Sequence, residues 1–373
     1  MRSSLFLGCC LLLLATGSCS KDSMSGTEEE QVLLPDFRLI GEDTENVFRY
    51  TYDGFAGSGT ETNLTQSLGV DPLYLTLRQV GDDVSFYSFA SGRFSLIQVN
   101  TFTGQAISYP DFYTVTDERA ITWGTNSEDL IFLGNYSPKG SRDFGIRTLD
   151  PSDGSFTDLP IALNIQQAYA PLYYRQRLMF TYRDESGSYK IGIFDTENRT
   201  LMRTLDFNTG IPNVLIDDFG NIGILVGLGN SIFTYRVFDI ETLDQLSETP
   251  FTLDVFLPPG PLQGSVFGST LYYTEFLAQP SEVPFGPAFF DFGTNTGSEI
   301  DILGVVQQVE ADTGSNVDLT AIRYYNDAGV FLVGYADTDF QNGLNGGVLV
   351  ISNTGQLQAR IPLPFVPTYF VEP

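Results

Sequence analysis

IGIFDTENRTLMRTL, residues 191–205, reads as two short β-branched and aromatic runs around the polar stretch Asp195-Thr196-Glu197-Asn198. Asp and Asn side chains satisfy backbone groups inside a tight turn, and Asn or Gly tolerates positive φ, so the stretch is a β-hairpin. The same layout recurs as SLIQVNTFTGQAI (95–107), GIRTLDPSDGSFTDL (145–159), YRVFDIETLDQLSE (235–248), AFFDFGTNTGSEIDI (288–302) and VLVISNTGQLQARI (348–361). With Asn100, Asp150, Asp195, Asp239, Asp291 and Ser352 as equivalent points, the spacings are 50, 45, 44, 52 and 61 residues. Periods of this size are those of four-stranded propeller blades.

A second series of turns precedes each hairpin: Gly81-Asp82-Asp83, Thr125 to Asp129, Tyr174 to Arg177, Asp217 to Asn221, Gly268-Ser269-Thr270 and Asn326 to Gly329. Each unit is therefore strand, tight turn, strand, variable loop, strand, tight turn, strand. From about residue 70 onward no amphipathic helix interrupts the pattern, so the chain reads as all-β. Six units are complete. Strand-like pieces remain at Asp36 to Ile40, Val47 to Tyr52 and Thr368 to Val371. A ring leaves no free sheet edge if strands from both ends of the chain share a blade. A β-propeller of seven blades is expected, with six or eight as alternatives. A two-domain β-sandwich is the rival, and it leaves the period unexplained.

The 373 residues carry 46 acidic and 19 basic side chains, a net charge of −27, and no histidine. Ser-His-Asp and Cys-His chemistry, histidine-ligated zinc and haem are excluded. Such an acidic surface repels a phosphate backbone, so no nucleic-acid partner is expected. Hydrophobic residues at 42% are ample for a large core.

Residues 1–18 form a signal peptide: a basic start at Arg2, an apolar run from Leu5 to Ala15, and small residues leading to Cys19. Ala15-Thr16-Gly17-Ser18-Cys19 resembles the lipobox of bacterial lipoproteins, which makes Cys19 the lipid-attachment residue and an outer-membrane lipid the anchor. Cys9 and Cys10 leave with the leader, so the mature chain has no disulfide. Residues 19–32 read as a flexible acidic tether, and 33–373 as one propeller domain. Lys21-Asp22 and Glu28-Glu29-Glu30 resemble the charged export signals of Bacteroidota lipoproteins displayed on the cell surface. The periplasmic face is the alternative location.

In a propeller the first-to-second and third-to-fourth turns share one face, and here they are short and uniform. The opposite face carries varied loops, Asn135 to Phe144, Phe276 to Pro287 and Ala336 to Gly347, together with the inter-blade stretches Tyr109 to Glu118 and Leu303 to Leu319. Varied loops on a rigid frame are where binding is expected. The scarce cations Arg93, Lys139, Arg142, Arg183 and Lys190 fall there among Tyr136, Tyr182, Phe285 and Phe340. Such a set holds a small anionic or aromatic ligand through charge-assisted hydrogen bonds and cation–π contacts. The plainer reading pairs each cation with a neighbouring carboxylate.

Other motifs are weaker. Asp337-Thr338-Asp339 with Asn342-Gly343 begins like a calcium loop, but Val348 stands where the bidentate acid belongs. Ser152 to Phe156 resembles the Asp-box turn of sialidase propellers without its tryptophan. Asp217-Asp218 is a carboxylate pair on the turn face, and Gly227-Leu228-Gly229 simply lets a strand end turn. No metal, cofactor or catalytic residue is assigned.

The lipobox at Thr16 to Cys19, Lys21-Asp22 and the six units together resemble propeller lipoproteins of Bacteroidota that accompany TonB-dependent transporters, some of which capture ferric siderophores. The resemblance implies a non-enzymatic ligand-capture or transporter-accessory role, with such a transporter as partner and a small anionic or aromatic molecule or a glycan as ligand. The alternative is a polysaccharide hydrolase or lyase using two carboxylates near the propeller axis.

Overall fold

The computed structural model describes residues 34–278, 280–338 and 344–372. The leader 1–18, Cys19, the tether 19–32, Phe340 and the Asp339, Asn342 and Gly343 of the calcium-like loop lie outside the described residues.

Seven antiparallel sheets form a seven-bladed β-propeller. Blade 2 consists of Thr76–Val80, Asp83–Ala90, Arg93–Asn100 and Ala106–Thr114; blade 3 of Ala120–Asn126, Ile131–Tyr136, Phe144–Leu149 and Phe156–Ala162. Blade 4 is Ile165–Tyr174, Arg177–Asp184, Tyr189–Asp195 and Thr200–Asp206; blade 5 is Ile211–Ile216, Ile222–Gly229, Ile232–Phe238 and Gln245–Thr252. Blade 6 is Gly264–Phe267, Thr270–Phe276, Phe285–Asp291 and Thr296–Glu299; blade 7 is Val317–Tyr325, Val330–Asp337, Asn345–Ser352 and Leu357–Leu363. Within each, strands run in chain order from the axis outward, first strands meeting those of neighbouring blades and fourth strands exposed.

Blade 1 closes the ring. Its innermost strand is Val366–Phe370, paired antiparallel with Phe37–Glu42, which continues into Val47–Asp53 and Ser58–Asn63. The expected sharing of one blade by both ends of the chain is what the sheet shows. Where the other blades have their first-to-second turn, blade 1 has the start and end of the described chain, joined by the Val371 N–H donating to the Arg38 carbonyl at 3.0 Å. Residues 34 and 372 therefore both sit on the turn face.

The repeated Asp, Asn or Ser acts as read. Asn100 Oδ1 accepts from the Thr103 N–H at 2.8 Å, Asp150 from Ser152 at 2.9 Å, Asp195 from Asn198 at 2.9 Å, Asp239 from Thr242 at 2.7 Å and Asp291 from Thr294 at 2.7 Å. Ser352 Oγ takes the Gln356 N–H at 3.0 Å, and Asp53 does the same for Ala56 in blade 1. Between blades the core is aromatic: Phe132 stacks on Tyr173 and Tyr272 on Tyr324, while Phe144 packs on Phe180. Gly134 makes room for one such ring, since a Cβ there would fall 2.2 Å from the Trp123 indole.

Two elements depart from the expectation. A helix, Ile302–Thr313, interrupts the inter-blade stretch between blades 6 and 7. Ile302, Val305, Val306 and Val309 bury one face of it, the Asp301 side chain caps the Gly304 N–H, and Gly314 ends it in the left-handed conformation. The all-β reading missed this helix because its apolar stripe is only two turns long and joins the strand-like run Ile300 to Leu303. The strand Ser58–Asn63 is wholly polar and exposed or half-buried, so no apolar alternation announces it.

Candidate functional site

At the inner rim, first strands from blades 2, 3 and 4 enclose a cavity of about 290 Å³. Its wall includes Leu75, Thr76 and Arg78 from blade 2, Ile121 to Gly124 from blade 3, and Ala168 to Ala170 from blade 4, with Tyr87, Phe94 and Leu133 behind. Leu75 precedes the first strand and Phe94 follows the second-to-third turn, so the cavity lies toward the loop-rich face.

Arg78 is the polar centre. It is half-buried, its Nε donates to the Gly124 carbonyl at 3.3 Å and its Nη1 to the Leu77 carbonyl at 3.2 Å. Nη2 has no partner and no carboxylate pairs with the group among the described residues. Burial pulls its pKa below the ordinary value, the sign expected of a charge without a counter-ion. Tyr169 projects from a bulge in blade 4, and burial and the neighbouring Tyr189 hydroxyl push its pKa up to about 12. Trp123 on the same wall is buried, and its indole N–H has no acceptor.

The remainder of the axis is built differently. The connection from blade 5 to blade 6 turns inward, and Gly260–Pro261 pairs in parallel with the open edge of Ile211–Ile216. Leu262 N–H donates to the Val214 carbonyl at 2.9 Å, and Asn213 Nδ2 donates to the Pro258 carbonyl. This plug leans on blade 4, where a side chain at position 260 would come within 3.5 Å of Tyr169 Cβ.

The residues expected from sequence fall in three groups. Tyr136, Tyr182 and Arg183 lie at the ends of the second strands of blades 3 and 4, and Lys139 and Arg142 on the loop that follows in blade 3. Tyr136 packs edge-on against Phe144 and its hydroxyl lies beside the backbone of Ala168 on the cavity wall. Arg183 stands 5.3 Å from the Tyr189 ring, which itself lies 6.3 Å from Tyr169. Tyr182 is 4% exposed and stacks on Phe180, a core position. Arg93 and Phe285 form the second group: Arg93 adjoins the cavity residue Phe94, whereas Phe285 packs on Phe276 in blade 6, away from the cavity. Phe340 lies outside the described residues.

Most of these cations have carboxylate neighbours. Arg93 pairs with Asp111 at 2.8 Å, Lys139 with Asp117 at 3.2 Å, Arg142 with Glu185 across two blades, and Lys190 with Asp184 at 2.9 Å and Asp206 at 3.4 Å. Arg183 instead donates to the Gly187 carbonyl at 3.3 Å. Sequence reading missed Arg78, Trp123 and Tyr169. Arg78 carried one available signal, a lone cation inside an otherwise uncharged strand, TLRQV.

A wider hollow of about 700 Å³ opens on the turn face among Glu128, Asp129, Tyr174, Arg175, Glu197 and Glu241. Glu241 there is tied to the buried Arg177 at 3.2 Å. The pair Asp217-Asp218 is engaged in backbone support: Asp217 holds its own turn through the Asn221 N–H, and Asp218 accepts from Gly268 of blade 6.

No protein-family model and no curated protein matches the chain. Among solved structures it is similar to a putative 6-phosphogluconolactonase from Bacteroides fragilis, with a TM-score of 0.51 at 12% identity over 90% of this chain and 98% of that one. The likeness is one of fold. Puromycin hydrolase is similar at a TM-score of 0.50 and 8% identity over 92% of this chain and 55% of its own length. A prolyl endopeptidase aligns at a TM-score of 0.46 and 11% identity, over 79% of this chain and 43% of its own length. These matches show the propeller scaffold alone, and propellers host unrelated activities.

Proposed function

We propose that this chain is a non-enzymatic envelope lipoprotein that captures a small anionic ligand in the cavity beneath its loop-rich face and serves a transporter. The observation that carries the reading is Arg78: in a protein of net charge −27, a half-buried guanidinium faces a cavity without a carboxylate partner among the described residues. Ordinarily such a charge is paired or solvated. The cavity wall contains no Asp or Glu, so the acid pair that glycoside cleavage needs is not supplied there. Among the described residues the carboxyl whose pKa is raised is Glu275, on the second strand of blade 6, where burial and then Glu299 and Asp254 act on it.

The anchor half of the reading rests on the lipobox-like stretch Ala15 to Cys19. The test is a thermal-shift screen of chemically varied small molecules on wild type and Arg78→Gln, with membrane fractionation of wild type and Cys19→Ser. Stabilisation lost in Arg78→Gln and release of Cys19→Ser from membranes are expected. Hits indifferent to Arg78 would remove the cavity from the account.

A further inference from the structure

Resting on the binding reading above, we infer that the cavity takes a small planar aromatic monocarboxylate, its ring among Phe94, Trp123 and Tyr169 and its carboxylate on Arg78. The wall sets the body of the ligand: Leu75, Ile121 and Leu133 add apolar surface to the three aromatic side chains. Flat rings gain most from such a wall, through stacked or edge-on contacts. A volume of about 290 Å³, at the lower end of small-molecule sites, suits one or two fused rings.

The charge of the head group follows from the donors. Two of the five guanidinium N–H groups of Arg78 donate to the Gly124 and Leu77 carbonyls, which fix the group in place and leave one N–H on Nη1 and both on Nη2 to meet the ligand. One positive group, with open N–H groups on adjacent nitrogens, matches a single carboxylate. A phosphate dianion or a multiply charged chelate calls for several donors and further cations, and Arg78 is the sole Lys or Arg on this wall. The protein's own charge also repels polyanions on approach. Organic cations are repelled locally by the guanidinium. A neutral aromatic would leave the half-buried charge unmatched.

The test is calorimetric titration of the purified protein with benzoate, cinnamate and indole-3-acetate, each beside its neutral amide, and with phenyl phosphate and inorganic phosphate. At least one acid should bind ten-fold or more tighter than its amide, the factor expected of a charge-assisted hydrogen bond. Arg78→Gln should bring that acid down to its amide. Ala168→Leu, which leaves Arg78 intact and fills the cavity, should abolish both, and it stands in if Arg78→Gln does not fold. Amides that bind as well as acids, phosphates that bind best, or no acid binding at all would overturn the ligand class. In those cases Arg78-dependent binding of another compound in the wider screen leaves the binding function standing, and its absence removes that as well.

Discussion

Blades 2 to 4 and blade 5 solve one problem in opposite ways. Every first strand turns an unpaired edge toward the axis. At blade 5 the edge is covered by main chain, Gly260–Pro261, in a parallel pair. At blades 2 to 4 side chains line the space, and a guanidinium is left without a counter-charge among the described residues. An edge sealed by backbone is a structural device; a cavity kept open around a guanidinium is the feature on which the proposed binding rests. The loops above repeat the contrast. At the end of the second strand in blade 4, Asp184 is held by the Ser186 hydroxyl and by Lys190, which bring its pKa down to about 2. At the corresponding place in blade 6, burial and the neighbouring Glu299 and Asp254 raise that of Glu275.

Both sectors depend on closure, so the largest effect should come from deleting residues 366–372. Blade 1 loses its innermost strand and exposes the edge of Phe37–Glu42, and cooperative thermal unfolding should vanish by circular dichroism. A deletion variant that still melts cooperatively would show that either sector folds without the ring. In the open sector, Gly134→Val drives a side chain into the Trp123 ring, and destabilisation of about 3 kcal/mol is expected in urea titration. In the plugged sector, Gly260→Ala places a Cβ at φ +117°, costing roughly 1–3 kcal/mol while aromatic-acid binding is retained. Loss of binding in that variant would mean that the plug shapes the cavity through Tyr169.

The smallest effects concern pH. The Asp184 carboxyl is depressed in the folded state, so its contribution is present above the unfolded value near 4 and fades as pH falls through about 2. Asp184→Asn should therefore be less stable than wild type at pH 7 and equal to it near pH 2. For Glu275 the sign reverses, because the folded state disfavours its charge and stability is lost as pH rises through the raised value. Glu275→Gln should melt higher than wild type at neutral pH, with the difference closing in acid. Melting curves from pH 2 to 8 decide both.

Blade boundaries were legible because each blade repeats a turn whose Asp, Asn or Ser must satisfy the same backbone groups. Asp150, Asp195 and Asp239 are local signals, read within a few residues of themselves. Ser58–Asn63 was not legible, since an exposed outer strand needs no apolar face, and Ile302–Thr313 was masked by its short stripe. The loop cations were legible as charges, but their partners were not. Arg142 meets Glu185 across a blade boundary, 43 residues along the chain.

The amino-acid sequence by itself determined a ring of repeated four-stranded sheets, the sharing of blade 1 by both ends of the chain, and the identity of the uniform face. Those depend on turn chemistry and period, which act over short distances along the chain. Tertiary structure alone decided where the unpaired charge lies. Residues 78, 123 and 169 come together only when three blades stack, and residues 257–262 seal one sector while leaving the next open. Neither fact has a local signature, because each arises from what neighbouring blades leave uncovered.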